Sequence, residues 1–180
     1  MLREIAFTGI VLATSPVNVV TDEQPFIDPQ SVECLALNMY HEARDQGVGG
    51  ALAVSFVVFN RVKDNRFPNT VCQVIKQGPI KESWKTRKTK DPHDAVFYPV
   101  RDKCQFSWWC DGLSDEPKDN ETYARFLKIA NGIIRHEYSL IDITDGATFY
   151  HADYVKPAWA KTKFRTIEIG DHIFYRWEVE

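Results

Sequence analysis

The chain has 180 residues, of which 44% are apolar and 26% charged. That is one domain's length with enough apolar material for a buried core, which excludes disorder over most of it. The net charge of −3 argues against a general nucleic-acid binder, whose domains are strongly basic. Aromatic residues reach 13%, with five Trp, and such rings either fill cores or line grooves that bind sugars and bases.

Residues 1–27 read as an apolar segment and a linker. Ile5–Ala13 is too short to span a bilayer, which takes about 20 residues. Two readings stay open. One is the core of a secretory signal behind Arg3, with Val11 and Ala13 before a cut. The other is an arm that docks on the domain or on a partner, and Glu4 weighs toward it. The linker carries Pro16 and Pro25.

A helix is predicted from Asp28, a good N-cap, with Pro29 at the first helical position. Val32, Leu35, Ala36, Met39, Tyr40 and Ala43 recur at helical spacing. Gly47, Gly49 and Gly50 are expected to end it. A second helix is predicted from about Ala51 to Lys63, apolar all round and therefore central. Phe67-Pro68-Asn69-Thr70 breaks the chain before a short helix with Val71, Val74 and Ile75.

Residues 77–103 read as a long, basic, irregular stretch, with seven Lys/Arg against four acids from Lys81 to Lys103. Gln105–Cys110 is expected to be extended, in which case Trp108 and Trp109 cannot both face the core. A third long helix is predicted over Asp119–Tyr138, with Tyr123, Phe126, Leu127, Ala130, Ile133 and Ile134 on one face. Phe164–Ile169 and His172–Trp177 flank Gly170-Asp171, the pattern of a β-hairpin. The fold class is α+β: mostly helical, with a small hairpin element.

Cysteines stand at 34, 72, 104 and 110, without zinc-finger spacing. They are expected as free buried thiols, with a Cys104–Cys110 bond across a hairpin as the alternative.

The candidate chemistry centres on Glu42. It lies seven residues after Leu35 and three after Met39, on the apolar face of the first helix. Burial there raises a carboxyl's pKa, as a general acid requires. A structural ion pair with Arg44 or Arg61, or a helix N-terminus, is the alternative. His41-Glu42 lacks the second histidine of a zinc-protease helix, because Asp45 stands there. A zinc site from His41, Asp45 and His151 is the alternative for these residues. Gln105-Phe106-Ser107-Trp108-Trp109 suits a carbohydrate groove or a core strand. His151, in Gly146-Ala147-Thr148-Phe149-Tyr150-His151, is either a substrate-orienting group or a structural histidine. Lys156, Lys161, Lys163 and Arg165 form a solvated face or a patch for an anionic polymer.

Asn38-Met39-Tyr40-His41-Glu42-Ala43-Arg44 resembles the N-x-x-x-E-A-R helix of the SleB-like, spore-cortex-lytic cell wall hydrolases. AVSFVVFNRV, Arg66-Phe67-Pro68-Asn69-Thr70, Val74-Ile75, Gln105-Phe106-Ser107 and Gly146–Ala152 are similar to that family's next blocks, in the same order. The likeness spans about residues 33–177.

It implies a lysozyme-like, goose-type domain over 28–180 that cuts bacterial peptidoglycan as a lytic transglycosylase. The resemblance makes Glu42 the one catalytic acid and implies neither metal nor cofactor. Gln105, Phe106, Ser107, Thr148, Tyr150 and His151 would form the substrate-binding positions. Asp111, Asp145 and Asp153 are candidates for a second carboxylate if the reaction is hydrolysis. A silent wall-binding or virion module is the non-enzymatic alternative. The peptidoglycan-binding repeat of the spore enzymes is not in this sequence. That shifts the expected setting toward a phage virion or lysis protein, or a small remodelling enzyme, acting at the cell wall by an open export route.

Overall fold

The computed structural model describes residues 28–89, 92–136 and 139–177. The expected signal or docking arm in residues 1–27 lies outside them. None of the helices among the described residues is long and apolar enough to cross a membrane.

α1 spans Pro29–Ala43, and the Asp28 carboxylate accepts from the Gln30 and Ser31 amides, both at 3.1 Å. α2 spans Gly47–Lys63. The glycines at 47–50 therefore open α2 rather than merely ending α1, and Gly47 takes φ +63 to make the reversal. α3 (Val71–Ile75) is capped by the Thr70 hydroxyl. α5 (Asn120–His136) is capped by Asp119, which accepts from the Glu121 and Thr122 amides at 3.1 Å. Tyr40 on α1 fixes its start: the phenol oxygen accepts the Lys118 and Asp119 amides, both at 3.1 Å.

α1 packs on α2, α3 and α5. Leu35, Ala36 and Met39 are wholly buried there. α2 has two packed sides. Val54 and Val58 join the helical core, while Ala53 and Val57 meet Phe174 of the sheet and Ala147 in the lead-in to β3. This is why its sequence is apolar all round.

The sheet has three antiparallel strands in the order β3–β5–β4: Phe149–Ala152, His172–Arg176 and Phe164–Ile169. The hairpin turns at Gly170, whose φ is +58. An added Cβ there would meet Gln46 Oε1 at 2.2 Å. That close approach serves a two-way latch. Gln46 Nε2 donates to Asp171 Oδ2 at 2.9 Å, and the Asp171 amide donates to Gln46 Oε1 at 2.8 Å. The α1–α2 corner is thereby clasped to the hairpin.

Three expectations need correction. The stretch 77–103 is an arm: β1 (Ile80–Glu82) pairs antiparallel with β2 (Phe97–Pro99), and α4 (Trp84–Thr89) lies between them. Ser107–Cys110 is a 3₁₀ turn, not a strand. Its tighter winding lets Trp108 bury while Trp109 packs partly against the same core. The cysteines are paired, Cys34 with Cys72 and Cys104 with Cys110. The first bond ties α1 to α3, a long-range pairing that spacing does not reveal.

Candidate active site

Glu42 sits one residue before the end of α1, half-buried, facing β3. The Tyr150 hydroxyl donates to its Oε2 at 2.7 Å. Burial pushes the Glu42 carboxyl above the usual glutamate range; the Tyr150 hydrogen bond and the positive charge of Arg61 pull it partly back. Glu42 makes no ion pair among the described residues, and Arg44 pairs with Asp45 instead, at 3.7 Å. The structural ion-pair reading of Glu42 is thus not what the fold builds.

Arg61, on α2, is 4% exposed. Its Nε donates to the Thr148 carbonyl at 2.8 Å, and its guanidinium lies 5.3 Å from the ring centres of both Phe67 and Phe106. Burial lowers its pKa to about 10, with the Tyr150 and Glu42 charges acting the other way, so it stays a cation at neutral pH. Asn60 beside it donates to the Ala147 carbonyl at 3.0 Å and to Asp142 Oδ2 at 2.8 Å. Two consecutive α2 side chains therefore hold the lead-in to β3 and so place Tyr150. Sequence reading named Arg61 only as an ion-pair partner; its grip on a backbone carbonyl leaves no residue pattern to find.

Tyr150 is wedged between Phe174, at 5.5 Å between ring centres, and His172, at 5.0 Å edge-on. Burial, then the Glu42 charge, keep its phenol far above its ordinary pKa, so it remains a donor at any working pH. Burial also pushes the His172 ring down, which keeps it neutral near pH 7.

Not all predicted site residues gather here. Phe106 is 1% exposed and packs on Tyr150 at 6.4 Å, so it shapes the floor from beneath. Thr148 is buried with its hydroxyl unpartnered, on the Tyr150 side of β3. Gln105 and Ser107 are exposed at the rim of the 3₁₀ turn. His151 points to the opposite face, as strand alternation requires. There Nδ1 donates to the Ala152 carbonyl at 2.8 Å and Nε2 lies 3.0 Å from the Tyr175 hydroxyl. His41 stacks on Trp108 at 4.6 Å and donates to the Asp115 carbonyl at 3.1 Å. Trp108 in turn donates to the buried Asn38 Oδ1 at 3.1 Å. His41 and His151 are committed to separate neighbours. Among the described residues no three His, Cys, Asp or Glu side chains sit close enough to hold a metal.

Two hollows are lined by other predicted site residues or by residues next to them in sequence. One of about 340 Å³ is lined by Tyr40, His41, Trp108 and Asp111. The other, of about 620 Å³, is lined by Asn60, Arg66, Thr148 and Trp177. Glu42 lines neither of them; the adjoining His41 lines the smaller, and Thr148, two residues before Tyr150, lines the larger. Of the candidate second carboxylates, Asp145 pairs with Arg176 at 2.6 Å and Asp111 caps the Leu113 amide at 2.7 Å.

A helical core packed on a small antiparallel sheet, with a half-buried acid where the two meet, is a lysozyme-like α+β fold. Residues 45–175 match the Cell Wall Hydrolase family, and the chain belongs to it: it is a peptidoglycan-cleaving enzyme. The match starts three residues past Glu42. No curated protein sequence matches the chain. The fold is similar to the catalytic domain of the germination-specific lytic transglycosylase SleB from Bacillus anthracis. Identity is 25% over 84% of this chain and 98% of that one, with a TM-score of 0.53. It is also similar to the catalytic domain of the Bacillus cereus SleB protein, with 24% identity over 89% and 100% of the two chains and a TM-score of 0.54.

Proposed function

We propose that the enzyme is a lytic transglycosylase with Glu42 as its single acid–base group. Glu42, protonated in its apolar setting, gives its proton to the oxygen bridging N-acetylmuramic acid and N-acetylglucosamine. The C1–O bond breaks as the proton arrives. The resulting Glu42 carboxylate, steadied by the Tyr150 hydroxyl, then takes the proton of the muramoyl 6-hydroxyl. O6 bonds to C1 and closes a 1,6-anhydro ring. The proton returns to Glu42 and no water is consumed.

The observation that carries this reading is the Tyr150–Glu42 hydrogen bond on a carboxyl that burial keeps basic and that no cation neutralises directly. A donor of this kind serves the charged half of the cycle without preventing the protonated half. Gln105 and Ser107 at the rim and the Trp108–His41 stack would contact sugar rings. The two disulfides suit an oxidising compartment, as action on the wall outside the cytoplasm requires. Delivery by a phage or by a bacterial export route both meet that condition.

Mass spectrometry of products from purified peptidoglycan is the test. Anhydro-muramic ends are expected. Reducing ends, about 20 Da heavier after borohydride treatment, would mean that water attacks instead and that a second carboxylate takes part.

A further inference from the structure

β1, α4 and β2 form an arm that roots on the Cys104–Cys110 loop. The Val100 amide donates to the Pro79 carbonyl at 2.8 Å, Gln105 to Gln77 at 2.9 Å, and Asp102 to Cys110 at 3.1 Å. Gly78 presses so close that an added Cβ would stand 2.9 Å from Cys104 Sγ. β1 and β2 pair with each other and not with the three-stranded sheet.

The outer surface of the arm is apolar and cationic together. Ile80, Trp84, Phe97 and Tyr98 are 65%, 62%, 53% and 54% exposed. Strand register sets Lys81 opposite Tyr98, so both lie on one face, and Ile80 and Phe97 lie on the other. Trp84 opens α4, with Lys88 Nζ 5.0 Å and Lys85 Nζ 5.9 Å from its ring centre. Lys81, Trp84, Lys85, Arg87 and Tyr98 line a hollow of about 360 Å³, in which Glu82 is the one acid. Single exposed apolar side chains are ordinary, but two large exposed aromatics, Trp84 and Tyr98, set among cations around one hollow mark a contact surface. In a chain of net charge −3, this concentration of cations is local.

We propose that the arm is a second wall-binding surface, apart from Glu42, that holds peptidoglycan through its sugar rings and its stem-peptide carboxylates. Sugar rings stack on Trp84 and Tyr98, and carboxylates pair with Lys81, Lys85, Arg87 and Lys88. The inference rests on the peptidoglycan reading above. Its chemistry fits twice over. Pyranose rings offer apolar faces to aromatic side chains, and the stems repeat negative charge along each strand, so several cations engage together. A concave hollow suits a strand better than a flat lipid surface. A second contact also raises the effective concentration of bonds at the active site once the enzyme has landed on an insoluble polymer.

The test uses the full chain carrying Trp84→Ala, or Lys85→Glu with Lys88→Glu. It measures co-sedimentation with purified sacculi stripped of phosphate polymers, beside turnover of soluble disaccharide-peptide oligomers. Each variant should sediment at least about tenfold more weakly and cut sacculi more slowly, with the soluble rate unchanged. Parent binding should fall in salt of about 0.5 M. Parent-like sedimentation of both variants would overturn the proposal. So would parent binding that disappears when phosphate polymers are stripped, or a loss seen on anionic phospholipid vesicles and not on sacculi. Sedimentation needs no turnover. Binding that depends on Trp84 without any cleavage would sink the catalytic reading alone, and sacculus binding and sacculus cleavage both indifferent to Trp84 would sink this one alone.

Discussion

The Tyr150 hydroxyl meets Glu42 Oε2 at 2.7 Å, joining the sheet to the last turn of α1 at the candidate acid. Because the bond favours the ionised carboxylate, Tyr150→Phe should raise the Glu42 pKa further. The alkaline limb of the rate–pH profile, which needs protonated Glu42, should move to higher pH. A hydrogen bond to a charged group is worth about 1.5–3 kcal/mol, so the step that uses the carboxylate should slow by roughly 10–100-fold. A profile unmoved by the change would separate Tyr150 from the acid.

Glu42 also leaves a mark on stability. A carboxyl whose folded pKa is raised stabilises the fold below its unfolded value of 4.5, and that contribution is lost as pH rises through the folded value. Glu42→Gln should therefore match the parent's melting temperature at pH 4 and exceed it at pH 8. Differential scanning calorimetry at the two pH values checks the sign.

Arg61 holds the Thr148 carbonyl and lies against two rings. Arg61→Met should leave that carbonyl unpaired and cost about 1–3 kcal/mol in denaturant unfolding. Loss of its positive charge should also push the Glu42 pKa upward, shifting the same alkaline limb as Tyr150→Phe. Destabilisation with an unshifted profile would leave Arg61 a purely structural role.

Much of this was legible beforehand, and the reasons are local. Asp28-Pro29, Thr70 and Gly170-Asp171 carry their conformational chemistry in their own side chains, so α1, α3 and the β4–β5 hairpin follow from neighbours in sequence. The half-buried place of Glu42 on α1 follows from helical spacing, which puts it on a face packed against the rest of the fold. The Cys34–Cys72 bond, the Arg61–Thr148 contact and the Gln46–Asp171 latch join residues distant in sequence, which periodicity does not encode. The 3₁₀ turn at Ser107–Cys110 was misread because a short aromatic run fits a strand equally well, and tertiary packing decides between them. The arm's strands are three residues each, too short to show alternation in the sequence.

Gly170→Ala tests the latch. Its φ of +58 and the Gln46 Oε1 atom, which an added Cβ would meet, both penalise a side chain. A loss of about 1–3 kcal/mol is expected, with a drop in turnover as the sheet carrying Tyr150 shifts. Retained stability would mean that the corner and hairpin are not clasped in solution.

The disulfides should differ in weight. Cys34–Cys72 spans 38 residues and Cys104–Cys110 spans 6. Loop-closure entropy then gives about 4 and about 2 kcal/mol. Removing each pair by alanine and comparing melting temperatures checks the order, and a larger loss from the shorter loop would contradict it.

The most direct measurement is the rate of muropeptide release from purified peptidoglycan by Glu42→Gln, taken with its melting curve. The account predicts a fall of at least about 100-fold, the contribution of a positioned general acid, with the fold fully retained. Release near the parent rate by the folded glutamine protein would contradict it.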